Sequence, residues 1–323
     1  MTRDYLARRL IQTVLLFIFV VTVNFVLPRL VPGDPAARFY EDPRVSPEIR
    51  RQILHSFGLD RPVSEQYLLY LGNLVKGDFG VSYTYRRPVM QVILERIPWT
   101  IALTGASTLV SLFLGIIFGA LAAWKRGSAI DAALLGSTIV LSALPSFWFA
   151  MLLLLAFAFY YPVLPAYGMI DPGVTPGFTW EFIGSLSRHA FLPVLILSLM
   201  GLVGYAAVVR YSMIDVIGSQ YIVVARSKGV PEWRLLYKHA LRNALLPLVT
   251  RIGMGLAGVI GGAVVIETIF SWEGMGLLVV EAARSFDYPL MQGAFLILAT
   301  LTLLGNLGAD LLYARLDPRV KLE

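Results

Sequence analysis

Residues 225–247 read ARSKGVPEWRLLYKHALRNALLP, a short basic stretch in a chain that is otherwise mostly apolar. Gly229 is typical of the end of one segment, and Pro231 suits the first position of the helix that follows. Glu232 then lies near the positive end of the helix dipole, where a carboxylate is favourable. The stretch therefore predicts a capped helix over residues 229–243, which we call the basic helix.

Two stripes of side chains run along the basic helix at α-helical spacing. The cationic stripe, at i, i+4 and i+8, consists of Arg234, Lys238 and Arg242. The apolar stripe consists of Leu236, Ala240 and Ala244, with Leu241 and Leu245 beside it. Two interpretations stay open at this point: a helix that lies on anionic lipid, or a rigid element presented to a partner protein. Trp233 and Tyr237 are aromatic anchors of the kind that protein interfaces favour.

The composition around the basic helix indicates a membrane protein. Of the 323 residues 57% are hydrophobic and only 15% are charged, and the mean hydropathy is +0.70. Soluble domains carry about 25% charged residues. The formal charge of +6 therefore raises the question of membrane sidedness and does not indicate nucleic-acid binding. Because there is no Cys and the three His are isolated, neither a disulfide framework nor a metal site is expected.

Six apolar stretches are long enough to cross a bilayer, which needs about 20 residues each. Their approximate limits are 9–29, 99–123, 132–160, 190–211, 247–268 and 290–313. The third contains Pro145, which should kink it. The first is longer than the apolar core of a cleavable signal peptide and lacks an A-x-A site after it, so we expect a retained span. The predicted fold class is an all-α integral membrane protein with six transmembrane helices.

The basic residues assign the sides of the membrane. The N-terminal tail, the 124–131 loop, the 210–251 loop and the C-terminal tail hold 15 Lys and Arg, whereas the opposite segments 161–189 and 269–289 hold two. The positive-inside rule then places both termini in the cytoplasm. The predicted divisions are 1–29 (tail and first span), 30–98 (extracytoplasmic insertion), 99–313 (core, with a cytoplasmic loop at 212–246) and 314–323 (tail).

The 30–98 insertion reads as a small unit of its own. SPEIRRQILHSFG predicts a helix over residues 46–58, and a second helix starts at Ser64. The glycines of GDFGVSYTYRRPV predict turns, and Pro88 opens a third short helix. In the core, Gly115 and Gly119, and a second series from Gly253 to Gly262, have the spacing of closely packed membrane helices. Packing inside the chain, a subunit interface and the wall of a path all stay open for these glycines.

The chemistry of an autonomous enzyme or pump is missing from the sequence. There is no G-x-x-x-x-G-K-[ST], no H-E-x-x-H and no G-x-S-x-G, so no catalytic, cofactor or metal residue is predicted. Ionisable residues in the apolar stretches are few and near the ends, namely Arg210, Arg251, Glu267 and Asp310. Ion-coupled carriers place such groups deeper. A channel or a secondary transporter therefore remains only as an alternative to a transport subunit that depends on partners.

Seven motifs occur in order along nearly the whole chain: VPGDP (31–35), KGDFGVS (76–82), RRPVMQVILERIPWT (86–100), AAWKRGSAID (122–131), ARSKGV...HALRNALLPLVT (225–250), ETIFSWEGMG (267–276) and DYPLMQG (287–293). With them the chain resembles the first permease subunit of bacterial dipeptide and oligopeptide ABC importers. The 225–250 motif resembles the cytoplasmic "EAA" loop of such permeases. Val223, Val224 and Ala225 stand where that pattern has Glu-Ala-Ala, so a role for its Glu is not carried over.

The resemblance implies a type I ABC importer permease fold in a bacterial inner membrane. It implies a pore formed with a second, homologous permease, one or two ATPase subunits that use ATP and Mg²⁺, and an extracytoplasmic binding protein. Together with the topology, it predicts that residues 30–98 and 269–289 face the binding protein or shield the outer mouth of the pore. It implies an ATPase-coupling role for Ala225, Gly229, Pro231, Glu232, Trp233, Arg234, Tyr237, Lys238 and Arg242. Peptides are the expected substrate, with nickel chelates, glutathione and oligosaccharides as alternatives, and no residue of the substrate path is assigned.

Overall fold

The computed structural model describes residues 3–30, 60–245, 247–248 and 263–316, and their regular structure is almost entirely helical. In chain order the helices are α1 (Arg3–Leu30), α2 (Val63–Val75), α3 (Val89–Trp124), α4 (Ala129–Ala143), α5 (Ser146–Leu154), α6 (Trp180–Ile217), α7 (Gln220–Ser227), α8 (Glu232–Arg234), α9 (Arg242–Ala244), α10 (Ala263–Phe270), α11 (Met275–Arg284) and α12 (Tyr288–Leu316). Two further segments, Leu155–Tyr160 after α5 and Leu235–Leu241 between α8 and α9, are π-helical.

Four helical stretches are long and apolar enough to cross a membrane, and the number rises to six if each of two bent helix pairs counts as one crossing. The four are Ala7–Val26, Val89–Trp124, Trp180–Ile217 and Tyr288–Gly308. The bent pairs are Ala129–Ala143 with Ser146–Tyr160, at 98°, and Ala263–Phe270 with Met275–Arg284, at 76°. The membrane class follows from the sequence as predicted, and apolar helices are found at five of the six predicted spans. Most of the remaining span, 247–268, lies outside the described residues.

The kink expected at Pro145 is confirmed, as a full break between α4 and α5. Pro145 has no N–H to bond back into α4, and a proline disfavours helical geometry in the residue before it. Leu144 accordingly adopts extended geometry, with φ −82° and ψ 125°, and ends α4. Pro145 becomes the N-cap residue of α5.

Two predicted details differ from the structure. The short helix expected to open at Pro88 is not separate, because α3 runs without interruption from Val89 to Trp124 and holds Pro98 in its interior. Helix α11, within the 269–289 segment that we read as a loop, was not foreseen. Its signal was present, since the buried residues Leu278, Val279 and Ala282 have the i, i+1, i+4 spacing of one helical face.

Several predictions fall on residues outside the described ranges. These are the helix over 46–58, the glycine series from Gly253 to Gly262, Arg251, most of the 247–268 span and the tail after residue 316. The predicted division of the chain at residue 98 stays a prediction about which residues lie outside the membrane.

The chain forms two compact units, of which the first contains residues 1–9, 98–277 and 302–323. Its larger buried cluster joins α3, α6 and α7 to the basic helix through Ala120, Ala123, Tyr205, Val209, Met213, Ile222, Ala240, Ala244 and Leu248. A second cluster joins α5, α6 and α10 through Ala150, Leu192, Ile196, Ile266 and Phe270.

Helices α3 and α6 approach each other closely because small residues line their contact. A Cβ added at Gly115 would lie 2.6 Å from the Cβ of Tyr205, and one at Gly119 would lie 2.5 Å from the carbonyl oxygen of Ala206. The Gly115 and Gly119 pair therefore packs inside this chain, which resolves one of the alternatives left open by the sequence. Farther along α3, the Ser111 hydroxyl donates to the Ser198 carbonyl at 2.9 Å and adds a polar contact to the same pair.

The second unit contains residues 10–97 and 278–301. Its centre is the carboxylate of Asp287, which is fully buried and accepts hydrogen bonds from the Ser82 hydroxyl at 2.6 Å and the Thr84 amide at 2.9 Å. The KGDFGVS and DYPLMQG motifs thus meet in one network. Nearby, burial and a hydrogen bond to Glu281 raise the pKa of the Tyr85 phenol, which stays protonated and donates at neutral pH.

The α3–α6 contact generates the first prediction. We expect Gly119→Ala to lower the stability of the purified chain by about 1–3 kcal/mol, because the added methyl group overlaps the backbone of α6. Gly105→Ala in the same helix is the matched control, since a Cβ there meets nothing within 4 Å. Thermal unfolding in detergent, followed by tryptophan fluorescence, compares the two variants. Equal melting temperatures for both would contradict the packing.

Candidate functional site

The turn that precedes the basic helix is a Schellman motif. The amide of Val230 donates to the Ala225 carbonyl at 3.3 Å, and the amide of Gly229 donates to the Arg226 carbonyl at 3.0 Å. Gly229 has a φ of +74°, a conformation that glycine adopts without steric cost. The sequence prediction that Gly229 ends a segment is confirmed, and the backbone of Ala225 takes part in that ending.

The basic helix then begins one residue later than predicted. Pro231 has extended geometry and is the N-cap residue, and its carbonyl accepts the amides of Arg234 and Leu235 at 2.9 and 3.1 Å. Glu232 is the first helical residue. Its carboxylate also forms a two-point ion pair with Arg226, with Arg226 Nε to Glu232 Oε1 at 2.9 Å. This exposed pair spans the turn between α7 and the basic helix.

The middle of the basic helix is π-helical and not α-helical, which corrects the predicted apolar stripe. The π segment covers Leu235–Leu241, and its i→i+5 bonding places residues five apart on one face. Leu235 is accordingly 1% exposed together with Ala240, whereas Leu236 is only partly buried. Ala244 follows four residues later at the same face, where the helix has returned to α geometry.

The buried face anchors the basic helix to the long helices. Ala240 and Ala244 lie in the cluster that contains Ala123 of α3 and Met213 of α6. Two side-chain hydrogen bonds of Asn243 add to this packing. The Asn243 amide nitrogen donates to the Tyr221 hydroxyl at 2.7 Å and to the His239 carbonyl at 3.1 Å, which joins the basic helix to α7.

The opposite face of the basic helix is exposed and carries aromatic and cationic side chains. Trp233 and Tyr237 are 61% and 63% exposed, large fractions for side chains of this size. The Arg234 guanidinium lies 5.2 Å from the centre of the Trp233 ring, in a cation–π arrangement. Glu232, Lys238 and Arg242 are exposed as well. The structure therefore brings the predicted side-chain contacts to one outward surface, which we call the docking face: Glu232, Trp233, Arg234, Tyr237, Lys238 and Arg242.

Sequence reasoning missed the residues that hold the docking face in place. Arg226, Tyr221, Asn243 and Leu235 were not singled out. The Arg226–Glu232 pair crosses a turn and the Tyr221–Asn243 bond joins residues 22 apart, so neither follows a helical repeat. Leu235 was missed because a π turn leaves no mark in the sequence pattern.

Three of the four ionisable residues near span ends have partners in the first unit. The Arg210 guanidinium pairs with Asp131 at 2.8 and 3.0 Å, and Arg9 pairs with Asp310 at 3.1 Å. Glu267 is fully buried and is held by hydrogen bonds, as described next. The two ion pairs and the hydrogen bonds of Glu267 each join two helices of the first unit.

The Glu267 carboxylate ties the bend between α10 and α11 to α3. It accepts the Thr100 hydroxyl at 2.7 Å and the amides of Gly276 and Leu277 at 2.7 and 3.2 Å. A Cβ at Gly274 would lie 2.5 Å from the same carboxylate, so the motif ETIFSWEGMG requires glycine there. This network caps the start of α11 and fixes a bend that the sequence did not reveal.

The long apolar helices define a membrane protein, and comparison with known proteins gives its family. Residues 115–322 match the family described as "Binding-protein-dependent transport system inner membrane component", and residues 1–104 match the family of its N-terminal region. The chain belongs to this family of inner-membrane transport components.

Two relatives illustrate how close the similarity is. The chain is 37% identical to the oligopeptide transport system permease protein AppB of Bacillus subtilis, over 98% of this chain and 99% of the relative. It is 35% identical to the di/tripeptide transport system permease protein DppB of Pseudomonas aeruginosa, over 98% of each chain.

A solved structure shares the fold. The MetNI methionine ABC transporter in an inward-facing conformation superposes with a TM-score of 0.57 at 15% identity, covering 71% of this chain and 97% of the other. The similarity concerns the fold, and it agrees with the predicted membership of the ABC importer permeases.

The π register generates the second prediction. We expect Leu235→Ala to lower the free energy of unfolding by about 2–5 kcal/mol, because it empties a site that is closed on all sides. Leu236→Ala is the matched control and should cost less, since Leu236 is only partly buried. Chemical or thermal unfolding of the purified chain measures both. A larger loss in free energy of unfolding for Leu236→Ala than for Leu235→Ala would indicate an α-helical register and contradict the π turn.

Proposed function

We propose that the chain is the pore-forming permease subunit of an ATP-driven ABC importer that translocates peptides in a bacterial inner membrane. An extracytoplasmic binding protein delivers the peptide, and partner ATPase subunits supply the energy. The full-length relatives named for oligopeptide and di/tripeptide transport support the substrate class. The absence of a P-loop motif from the sequence supports an ATP site on separate subunits that bind ATP and Mg²⁺.

One observation carries the mechanism: the basic helix has a buried face that is packed into the core and an exposed face that is free for a partner. An ATPase bound at the docking face pushes or pulls on a rigid body, because Ala240 and Ala244 are buried in a close-packed cluster. That cluster includes α3 and α6, two of the longest apolar helices. Closure of an ATPase pair is then converted into movement of helices that line the transport path.

The electrostatics of the docking face suit a protein partner. An acidic surface of the partner is attracted by three cationic side chains, Arg234, Lys238 and Arg242. Apolar area that becomes buried on docking is provided by Trp233 and Tyr237. Stacking of Arg234 on Trp233 orders both side chains in advance, which lowers the entropy that binding costs. Gly229 and Pro231 set the direction of the helix, and Ala225 contributes through its capped carbonyl.

The membrane arrangement follows from the same proposal. With the six spans predicted from the sequence, of which the fifth ends at residue 268, both termini and the basic helix face the cytoplasm and α11 lies on the opposite side. Residues 30–98 and 269–289 face the binding protein on the opposite side. A second, homologous permease completes the pore, since one chain of this size presents only half of a two-subunit path.

The third prediction tests the docking face. We expect Arg234→Glu to weaken ATPase association by about thirtyfold or more, because it reverses a charge at an aromatic–arginine anchor. The measurement is co-purification of ATPase subunits with the tagged permease, followed by the ratio of ATP hydrolysis to peptide uptake in reconstituted vesicles. Arg188→Glu, an exposed arginine near the other end of α6, is the matched control.

Two outcomes would count against the proposal. If the chain is recovered intact without ATPases even before mutation, the basic helix is a lipid-surface element and a channel becomes the better interpretation. If Arg234→Glu and Arg188→Glu weaken association equally, the docking face is not the site of contact.

The fourth prediction concerns the substrate. We expect uptake of a labelled dipeptide or pentapeptide by the complete reconstituted importer to require ATP and the binding protein. Glutathione, nickel chelates and oligosaccharides serve as competitors in the same assay. Strong ATP-dependent uptake of one of these, without uptake of peptides, would keep the importer and overturn the peptide assignment.

A further inference from the structure

A cavity of about 400 Å³ opens beside the start of the basic helix, apart from the docking face's aromatic anchors. Its wall combines five apolar residues with three charged ones: Ala123, Trp124, Ile214, Ile217 and Gly218, and Arg126, Arg226 and Glu232. A lining that is mostly apolar and carries three charges suits an amphipathic ligand. Of its lining residues the proposed coupling mechanism uses Glu232, and it gives the cavity itself no role.

The cavity lies where two membrane-spanning helices end. Trp124 is the last residue of α3, and Ile217 is the last residue of α6. Tryptophan is enriched at the level of lipid headgroups, where its ring bridges the apolar and aqueous layers. Because Trp124 directly follows the predicted span 99–123, the cavity is at the depth of a headgroup when that span crosses the bilayer.

An exposed apolar surface leads from the cavity along α3. Ile117 and Leu121 precede Trp124 by seven and three residues, which places all three on one face of the helix. Ile117 is 42% exposed and Leu121 is 39% exposed. An acyl chain attached to a group in the cavity can follow this face into the hydrocarbon layer.

The charges of the cavity favour an anion. Arg226 is paired with Glu232, and the lining as a whole carries one net positive charge, that of Arg126. The nearest carboxylate to Arg126 on α4 is that of Asp131, which already accepts from Arg210 and from the Gly127 amide. Arg126 therefore has donors to spare for a phosphate group.

We propose that this cavity binds the headgroup of an anionic phospholipid, with the phosphate at Arg126 and an acyl chain along Ile117 and Leu121. The proposal rests on the proposed function in one respect, because that function places this end of the chain at the cytoplasmic leaflet. Basic pockets between membrane helices on that side hold anionic headgroups. A bound lipid would brace the turn between α6 and the basic helix, since Arg226 and Glu232 form the far wall.

The lipid assignment is favoured over a protein side chain by the continuity of the apolar surface. A side chain from a soluble partner needs only the charged mouth of the cavity. The apolar wall formed by Ile214, Ile217 and Trp124 runs on to exposed Leu121 and Ile117, toward the bilayer and away from the aqueous phase. A two-part ligand with a charged head and an apolar tail matches both surfaces.

The test uses the complete transporter, purified in mild detergent and examined by native mass spectrometry during titration with palmitoyl-oleoyl phosphatidylglycerol. We expect Arg126→Gln to bind the first phosphatidylglycerol about fivefold more weakly than the unmodified chain, the effect of one basic residue at a membrane surface. Arg126→Lys should restore most of the binding. Arg188→Gln is the matched control and should bind normally, and phosphatidylcholine should not distinguish any of the variants.

The outcomes separate this proposal from the proposed function. Equal phosphatidylglycerol binding by Arg126→Gln and Arg188→Gln would overturn the lipid site. Loss of an ATPase or permease subunit from Arg126→Gln with unchanged lipid binding would assign the cavity to that subunit and also overturn it. If the chain is recovered without any ATPase but Arg126→Gln alone loses phosphatidylglycerol, the lipid site stands and the proposed function fails.

Discussion

The close approach of α3 and α6 is the constraint on which the rest of the first unit depends. Gly115 and Gly119 let the backbone of α6 come within van der Waals distance, so that Tyr205 and Val209 lie against α3. In a membrane there is little hydrophobic drive between helices, and this contact relies on dispersion and good fit. Ala240 and Ala244 of the basic helix pack against the surface that this contact forms. The position of the docking face therefore depends on the contact between α3 and α6.

Buried polar groups give the unit its specific bends. The Glu267 carboxylate accepts from two amides at the start of α11 and from the Thr100 hydroxyl of α3, so the 76° bend is stabilised and both buried carboxylate oxygens have donors. Asp131 does the same at the start of α4 by pairing with Arg210 of α6. In each case a carboxylate at a helix start is bonded to another helix, which joins local capping to tertiary packing.

The basic helix is buried on one side and exposed on the other, as the proposed coupling role requires. Ala240 and Ala244 pack in the cluster that contains residues of α3 and α6, whereas Trp233, Arg234 and Tyr237 are exposed. The Schellman turn at Gly229 joins the basic helix to α7, and the exposed Arg226–Glu232 pair spans that turn. A π turn within a helix is costly, and it recurs at functional sites because it changes which side chains share a face. Here it sends Leu235 into the core and leaves the aromatic side chains outside.

The sequence by itself determined the class of protein, the places of the apolar segments, the break at Pro145, the turn at Gly229 and the exposed aromatic and cationic side chains, because composition, periodicity and Pro and Gly act locally. The tertiary structure decided the continuity of α3 through Pro98, the bend tied by Glu267, the Arg226–Glu232 and Tyr221–Asn243 contacts, and the burial of Leu235 in place of Leu236. These features depend on which residues distant in the chain come into contact. They also depend on whether the free energy gained by packing exceeds the free energy lost when a helix leaves α geometry.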